Sequence, residues 1–189
     1  MISHSHKFIF VHVPRAGGTS MRYALRQFKP KRIQFHMPAT EWRAKYPGRF
    51  NDYFTFSFVR NPWDRVLSDY FWHLREGGHK QKPFNRDDFL HHIKTGADHP
   101  WSQWWMISDG EKVIVDFVGK FEDIKKDWPV VAKKLGVSPD LPHRNKTKHL
   151  SYWHYYDDET KKAVAERFKD DIEHFGYKFG ITDAQQKSV

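Results

Sequence analysis

Residues 8–13 read Phe-Ile-Phe-Val-His-Val, a short apolar run rich in β-formers, the pattern of a central strand covered on both faces. Pro14-Arg15-Ala16-Gly17-Gly18 breaks the run, and Thr19-Ser20 opens a segment with Met21, Ala24, Leu25 and Phe28 at helical spacing. Residues 32–35 predict a second short strand, and Pro38-Ala39-Thr40 leads into a short helix around 41–45. Residues 53–59 alternate apolar and small polar side chains as a strand does, until Arg60-Asn61-Pro62 ends them. Pro62 suits a first helical position. In the helix that follows, Val66, Leu67, Tyr70, Phe71 and Leu74 make one apolar stripe, Arg65, Asp69 and Arg75 fall largely elsewhere, and Gly77-Gly78 closes the element.

Residues 79–112, rich in His, Pro and Trp, read as an elaborated surface region with a helix over 86–94, the kind of insertion that forms lids or binding surfaces. Residues 113–118 predict a further strand, 123–135 a helix, and 157–175 one or two helices with a charged face. Strands alternating with helices imply a three-layer α/β/α domain around a central parallel sheet. A length of 189 residues fits a single domain, 1–189, with a core that needs no disulfide or structural metal.

The 16 Phe, 8 Tyr and 8 Trp supply much of that core. The absence of cysteine excludes disulfide frameworks, thiolate metal sites and cysteine nucleophiles. The run at 8–13 is too short for a signal segment or a membrane span, so a soluble cytoplasmic protein with no membrane partner is expected. A net charge of +9 and a pI near 9.6 predict attraction to polyanions, whether nucleic acid, anionic glycans or nucleotides with several phosphates.

Two constellations sharpen this. Val13-Pro14-Arg15-Ala16-Gly17-Gly18-Thr19-Ser20 lies at a strand-to-helix junction, where glycines admit close backbone approach and helix N–H groups face an anion. Arg15 can set a cation over a transferred group, and Thr19 and Ser20 can donate hydroxyl hydrogen bonds to its oxygens. In isolation the same residues read equally as a glycine turn with a Thr or Ser cap. The Gly-Lys-Ser/Thr of a Walker A loop is absent. In the second block, 58–70, Arg60 ends a strand at the edge where open α/β sheets bind ligands, and Ser68 follows on the helix. Together they can hold a phosphate; the alternative is that Arg60 pairs with Asp64 or Asp69 as scaffolding.

The blocks FIFVHVPRAGGTS and FTFSFVRNPWDRVLSDYFW together resemble the PAPS-dependent sulfotransferases of the carbohydrate and Golgi-type branch, PAPS being 3′-phosphoadenosine 5′-phosphosulfate. The similarity runs on through VIVDFVGKFEDI and NKTKHLSYWHYYDDETKKAVAERFKDDIEHFGYKF, with 75–100 the least typical stretch. The resemblance implies a P-loop-like sulfotransferase fold that moves a sulfuryl group from PAPS to a hydroxyl, expected on a saccharide, by in-line displacement that releases PAP and needs no metal. By the same resemblance Arg15, Ala16, Gly17, Gly18, Thr19 and Ser20 hold the 5′-phosphosulfate, and Arg60 and Ser68 the 3′-phosphate. Such proteins usually carry lysine where this chain has Arg15; arginine keeps the charge and changes the geometry.

Transfer to a hydroxyl benefits from a base that takes the acceptor proton. His36 is the candidate, placed after the second strand and before MPATEW, where some members of the family resembled carry a histidine base; His12, along a buried strand, is the lesser candidate. The basic loop 144–149, with Lys146 and Lys148, reads either as a closure over the 3′-phosphate or as a solvated loop. Gln103 and Trp104 read as acceptor-cleft residues or as core packing, and Trp105 beside them likewise. Histidines 4, 6, 79, 91, 92 and 99 lack HExxH spacing and a clear carboxylate set, so no metal site is expected.

Two rival functions stay in view. A P-loop-like kinase or NTPase would use Val113-Ile114-Val115-Asp116 as a magnesium-binding strand end, and a non-catalytic polyanion-binding module would use charge and aromatics to grip nucleic acid. The second accounts for the charge but not for the two ordered motifs, so nucleic acid is not the expected partner.

Overall fold

The computed structural model describes residues 1–28, 36–75, 83–95, 102–141 and 150–180. The expected strand at 32–35, Gly77-Gly78, His79, His99 and the loop with Lys146 and Lys148 lie outside them. In chain order the elements are β1 (Ile2–Ser3), β2 (Phe8–Phe10), α1 (Gly18–Ala24), α2 (Ala39–Lys45), α3 (Pro47–Asp52), β3 (Phe54–Val59), α4 (Pro62–His73), α5 (Arg86–Thr95), α6 (Gln103–Ile107), β4 (Phe117–Lys120), α7 (Ile124–Leu135), α8 (Asp158–Arg167) and α9 (Lys169–Phe175). The fold is α/β, and the chain forms two compact units.

The first unit spans 1–59 and 103–145. Among the described residues its sheet has four strands in the order β1-β2-β3-β4, with β2, β3 and β4 parallel and β1 antiparallel to β2. The parallel sheet expected from the sequence is therefore present at three strands; β1, two residues long, is too short to leave a periodic signal. One face of the sheet stacks Phe10 on Phe56, centroids 5.0 Å apart, beside Phe8 and Phe58. Met21 and Leu25 and, from α7, Trp128, Val131, Ala132 and Leu135 complete that core. Each such aromatic ring removed from water stabilises the fold by about 1.5–3 kcal/mol.

The strand expected at 113–118 is displaced. Val113 makes only an isolated bridge to Ser108, and regular pairing with β3 starts at Phe117. The cause is Asp116, whose Oδ2 accepts from the Thr55 amide at 2.7 Å and the Thr55 hydroxyl at 2.9 Å, fastening the chain just before β4. The region expected to be surface elaboration also carries core: Phe89 and Ile93 of α5 and Gln103, Trp104, Met106 and Ile107 of α6 are buried.

The second unit spans 60–102 and 146–189, and the regular elements among its described residues are helical. Asn61 caps α4, its side chain accepting from the Trp63 amide, and Pro62 takes the first helical position. Val66, Leu67, Tyr70 and Phe71 are buried as the stripe predicts, but so are Arg65 and Asp69. Arg65 lies under the Phe168 ring at 4.9 Å and faces Asp171 at 3.9 Å, so a partner about a hundred positions away draws it inward. Burial pulls its guanidinium below its ordinary pKa, against the opposing pull of Asp171 and Asp69.

At the far end of α4 the Tyr70 hydroxyl donates to the Asn85 carbonyl, just before α5. Asp157 caps α8 in a reciprocal box with Thr160, and Arg86 bonds both Asp157 and Glu159. No helix among the described residues is long and apolar enough to cross a membrane.

Candidate functional site

The chain leaves β2 and β3 at the same edge of the sheet, because the two strands run parallel. Beyond β2 it turns through Pro14-Arg15-Ala16-Gly17 into α1. Arg15 at φ 63 and Gly17 at φ 81 both adopt the left-handed region, which a non-glycine residue such as Arg15 enters only at some cost in energy. The Gly17 carbonyl accepts from the Ser20 amide at 3.1 Å and so starts the helix. The N–H groups ahead of Ser20 belong to the first turn, which a helix cannot satisfy internally, and such amides suit an anion.

Gly17 is needed for its left-handed conformation, and both glycines for space. A Cβ on Gly17 would meet the Phe121 ring at 3.0 Å, and one on Gly18 would stand 1.9 Å from Nε2 of His12. His12 therefore does not simply line the strand; its ring covers the entrance to α1. Sequence reasoning passed over this, and the one cue available was the two-residue phase that sets His12 on the same strand face as Phe8 and Phe10.

The structure brings His36 to the same place. The two imidazoles lie 4.8 Å apart, and Nδ1 of His36 is 3.2 Å from the His12 carbonyl oxygen. A carbonyl only accepts, so Nδ1 carries the proton in that bond and, in the neutral ring, the lone pair sits on Nε2. His36 is held at φ 60, a backbone state that costs energy and aims the ring. The tautomer a general base requires is thus selected by the main chain.

In the second unit Arg60, the first residue beyond β3, is nearly buried and donates to Oδ2 of Asp64 from both Nε, at 2.9 Å, and Nη2, at 2.8 Å. The scaffolding pair foreseen as an alternative is therefore present. A guanidinium has five N–H donors, so this pairing is compatible with an anion as well. Ser68 is buried on α4.

Gln103 is fully buried and Trp104 almost so, whereas Trp105 exposes 48% of its surface. Packing is what the first two visibly do. Asp116 sits at the amino end of β4, the edge opposite to the one where β2 opens into the Arg15 loop, and its carboxylate is engaged by Thr55. It is not in position to carry a magnesium ion beside that loop, which removes the sequence basis for the NTPase rival.

Comparison with known proteins adds three findings. A family model described as "Sulfotransferase family" matches residues 1–178. An uncharacterized protein of Archaeoglobus fulgidus is 34% identical over 101 residues, covering 52% of this chain and 80% of its own length. No solved structure matches the chain significantly.

Proposed function

The chain belongs to the sulfotransferase family, and from that premise we propose that it transfers a sulfuryl group from PAPS to a hydroxyl, with a saccharide as acceptor and residues 1–189 acting as one catalytic domain. The observation that carries the reading is the left-handed Arg15–Gly17 turn opening into α1 beside a histidine whose main-chain hydrogen bond leaves Nε2 as the basic nitrogen.

In this reading Arg15, Ala16, Gly17, Gly18, Thr19 and Ser20 hold the 5′-phosphosulfate, with amides and the guanidinium bearing on the charge that develops on the departing phosphate oxygen. Arg60 and Ser68 hold the 3′-phosphate, Asp64 fixing the plane of the guanidinium. Lys146 and Lys148, outside the described residues, are further candidates to bind that phosphate by their charge. The acceptor oxygen attacks sulfur as the bond from sulfur to the bridging phosphate oxygen breaks; the hydroxyl proton passes to Nε2 of His36 and PAP leaves. No metal enters this scheme. A positive chain, at +9, favours an anionic saccharide over a neutral one.

Calorimetric titration with PAP, and with ADP and ATP as controls at moderate salt, tests the donor half. Micromolar PAP binding with far weaker ADP binding is expected, and Arg60→Ala should weaken PAP by about 1.5–3 kcal/mol. Equal affinity for PAP and ADP would end the 3′-phosphate assignment. A screen in which phenols or amines but no saccharide are sulfated would overturn the acceptor class.

A further inference from the structure

We propose that Asp69, His73 and His92 form a binding site for a single divalent cation of the zinc type, joining α4 to α5. Asp69 and His73 stand one helical turn apart on α4 and so share a face; His92 reaches them from α5. Oδ2 of Asp69 is 3.7 Å from Nε2 of His73 and 3.4 Å from Nε2 of His92, and the three donor atoms all lie within 4.8 Å of one another. These separations are long for charged hydrogen bonds, which close to about 2.7–2.9 Å. They suit a shared ion: with bonds of about 2.0–2.2 Å, tetrahedral coordination sets its donors roughly 3.3–3.6 Å apart. Two of the three edges already stand within a few tenths of an ångström of that length.

Chemistry selects the ion. Two imidazoles and one carboxylate form a mixed nitrogen and oxygen set that favours zinc and its neighbours over magnesium or calcium, which prefer oxygen alone. The imidazoles are braced by aromatic edges, His73 against Trp72 at 4.9 Å and His92 against Tyr70 at 5.6 Å. Asp69 is buried, while the side chains of His73 and His92 keep 21% and 11% of their surface, which leaves an approach and room for water as the fourth ligand. Arg65 is the nearby charge that opposes a cation; Asp69 and Asp171 act against it, while Arg60 and Arg167 act with it. The histidine spacings in the sequence did not disclose this set because its members lie on two helices, with His92 nineteen positions beyond His73.

The site is independent of the sulfotransfer reading, and its test needs no turnover. Full-length protein stripped with EDTA is titrated with Zn2+ by calorimetry and with Co2+ by absorption. One equivalent is expected, with a cobalt spectrum of tetrahedral intensity. Zinc at a hundredfold excess over its dissociation constant should raise Tm by about 5–10 °C. His73→Ala and His92→Ala should each weaken binding roughly tenfold or more and abolish the Tm rise, the scale seen when coordination support is lost. A His4→Ala/His6→Ala variant, lacking the histidines near the start of the chain, should bind as before. Asp69 is buried beside Arg65, so the two partly exposed histidines carry the test, with near-ultraviolet circular dichroism showing that each variant is folded. Stoichiometric binding unchanged in folded His92→Ala, or binding that disappears with His4 and His6, would overturn the proposal.

Discussion

The turn at Arg15–Ser20 and the helix start at Arg60–Ser68 both follow parallel strands, yet they are built by opposite means. The first is shaped by backbone and apolar packing: left-handed residues, glycines pressed by Phe121 and His12, and a core of phenylalanines behind them. The second is shaped by charge: Arg60 on Asp64, Arg65 on Asp171, Asp69 with two histidines. The difference teaches where each region is vulnerable. A packed backbone turn fails when volume is added, whereas a buried ionic helix face fails when one partner is removed.

The largest expected effect lies in the first region. His36→Ala should cut turnover by ~10²–10⁴ while leaving PAP affinity unchanged, as loss of a base does; intact turnover with saturating donor and acceptor would move the base elsewhere. Next comes the second region: Arg65→Ala removes the cation facing buried Asp171 and should cost about 3–5 kcal/mol in urea unfolding, while Arg65→Met with Asp171→Leu should cost far less. If the single and double variants lost equal stability, charge would not be what organises α4 against α9.

Smaller again is Gly18→Ala, expected to cost about 1–3 kcal/mol from overpacking against His12. His12→Ala in the same chain should return most of that loss, a coupling that a double-mutant cycle reads directly. The smallest concerns Asp157, whose carboxyl is held well below the usual carboxylate range by the Thr160 amide and hydroxyl and by Arg86. Asp157→Ala should cost about 1 kcal/mol at neutral pH. Because the folded state depresses this group, its contribution is present above the ordinary carboxylate pKa and fades as pH falls toward the depressed folded value. The wild-type and variant stabilities should therefore converge in acid.

Strands and helices whose pattern is local were legible in the sequence. Phe8–Phe10 announced itself by continuous apolar side chains, and α4 by its stripe and by Pro62. The helix α3 at Pro47–Asp52 was not anticipated, since its six residues bury Phe50 and little else. The shift of β4 was not legible either, because Val113 to Val115 are good β-formers and only the grip of Asp116 on Thr55 delays the pairing. The same holds within the candidate site. The Arg15 loop could be read from glycine and proline punctuation, and His36 from its place in the resemblance, whereas the closeness of His12 and His36 depends on a contact that no local pattern encodes. Arg65 and Asp69 looked like solvent-facing charges because Asp171 and His92, which meet them, come from other helices.

The ring of His12 over Gly18 ties the fates of two positions six residues apart. Neither site drifts independently: a methyl group gained at 18 costs less in a lineage that has already shrunk residue 12. Natural variants of this chain should thus pair a large residue at 12 mostly with glycine at 18, an order of change written into the 1.9 Å that would separate a Cβ at 18 from the His12 ring.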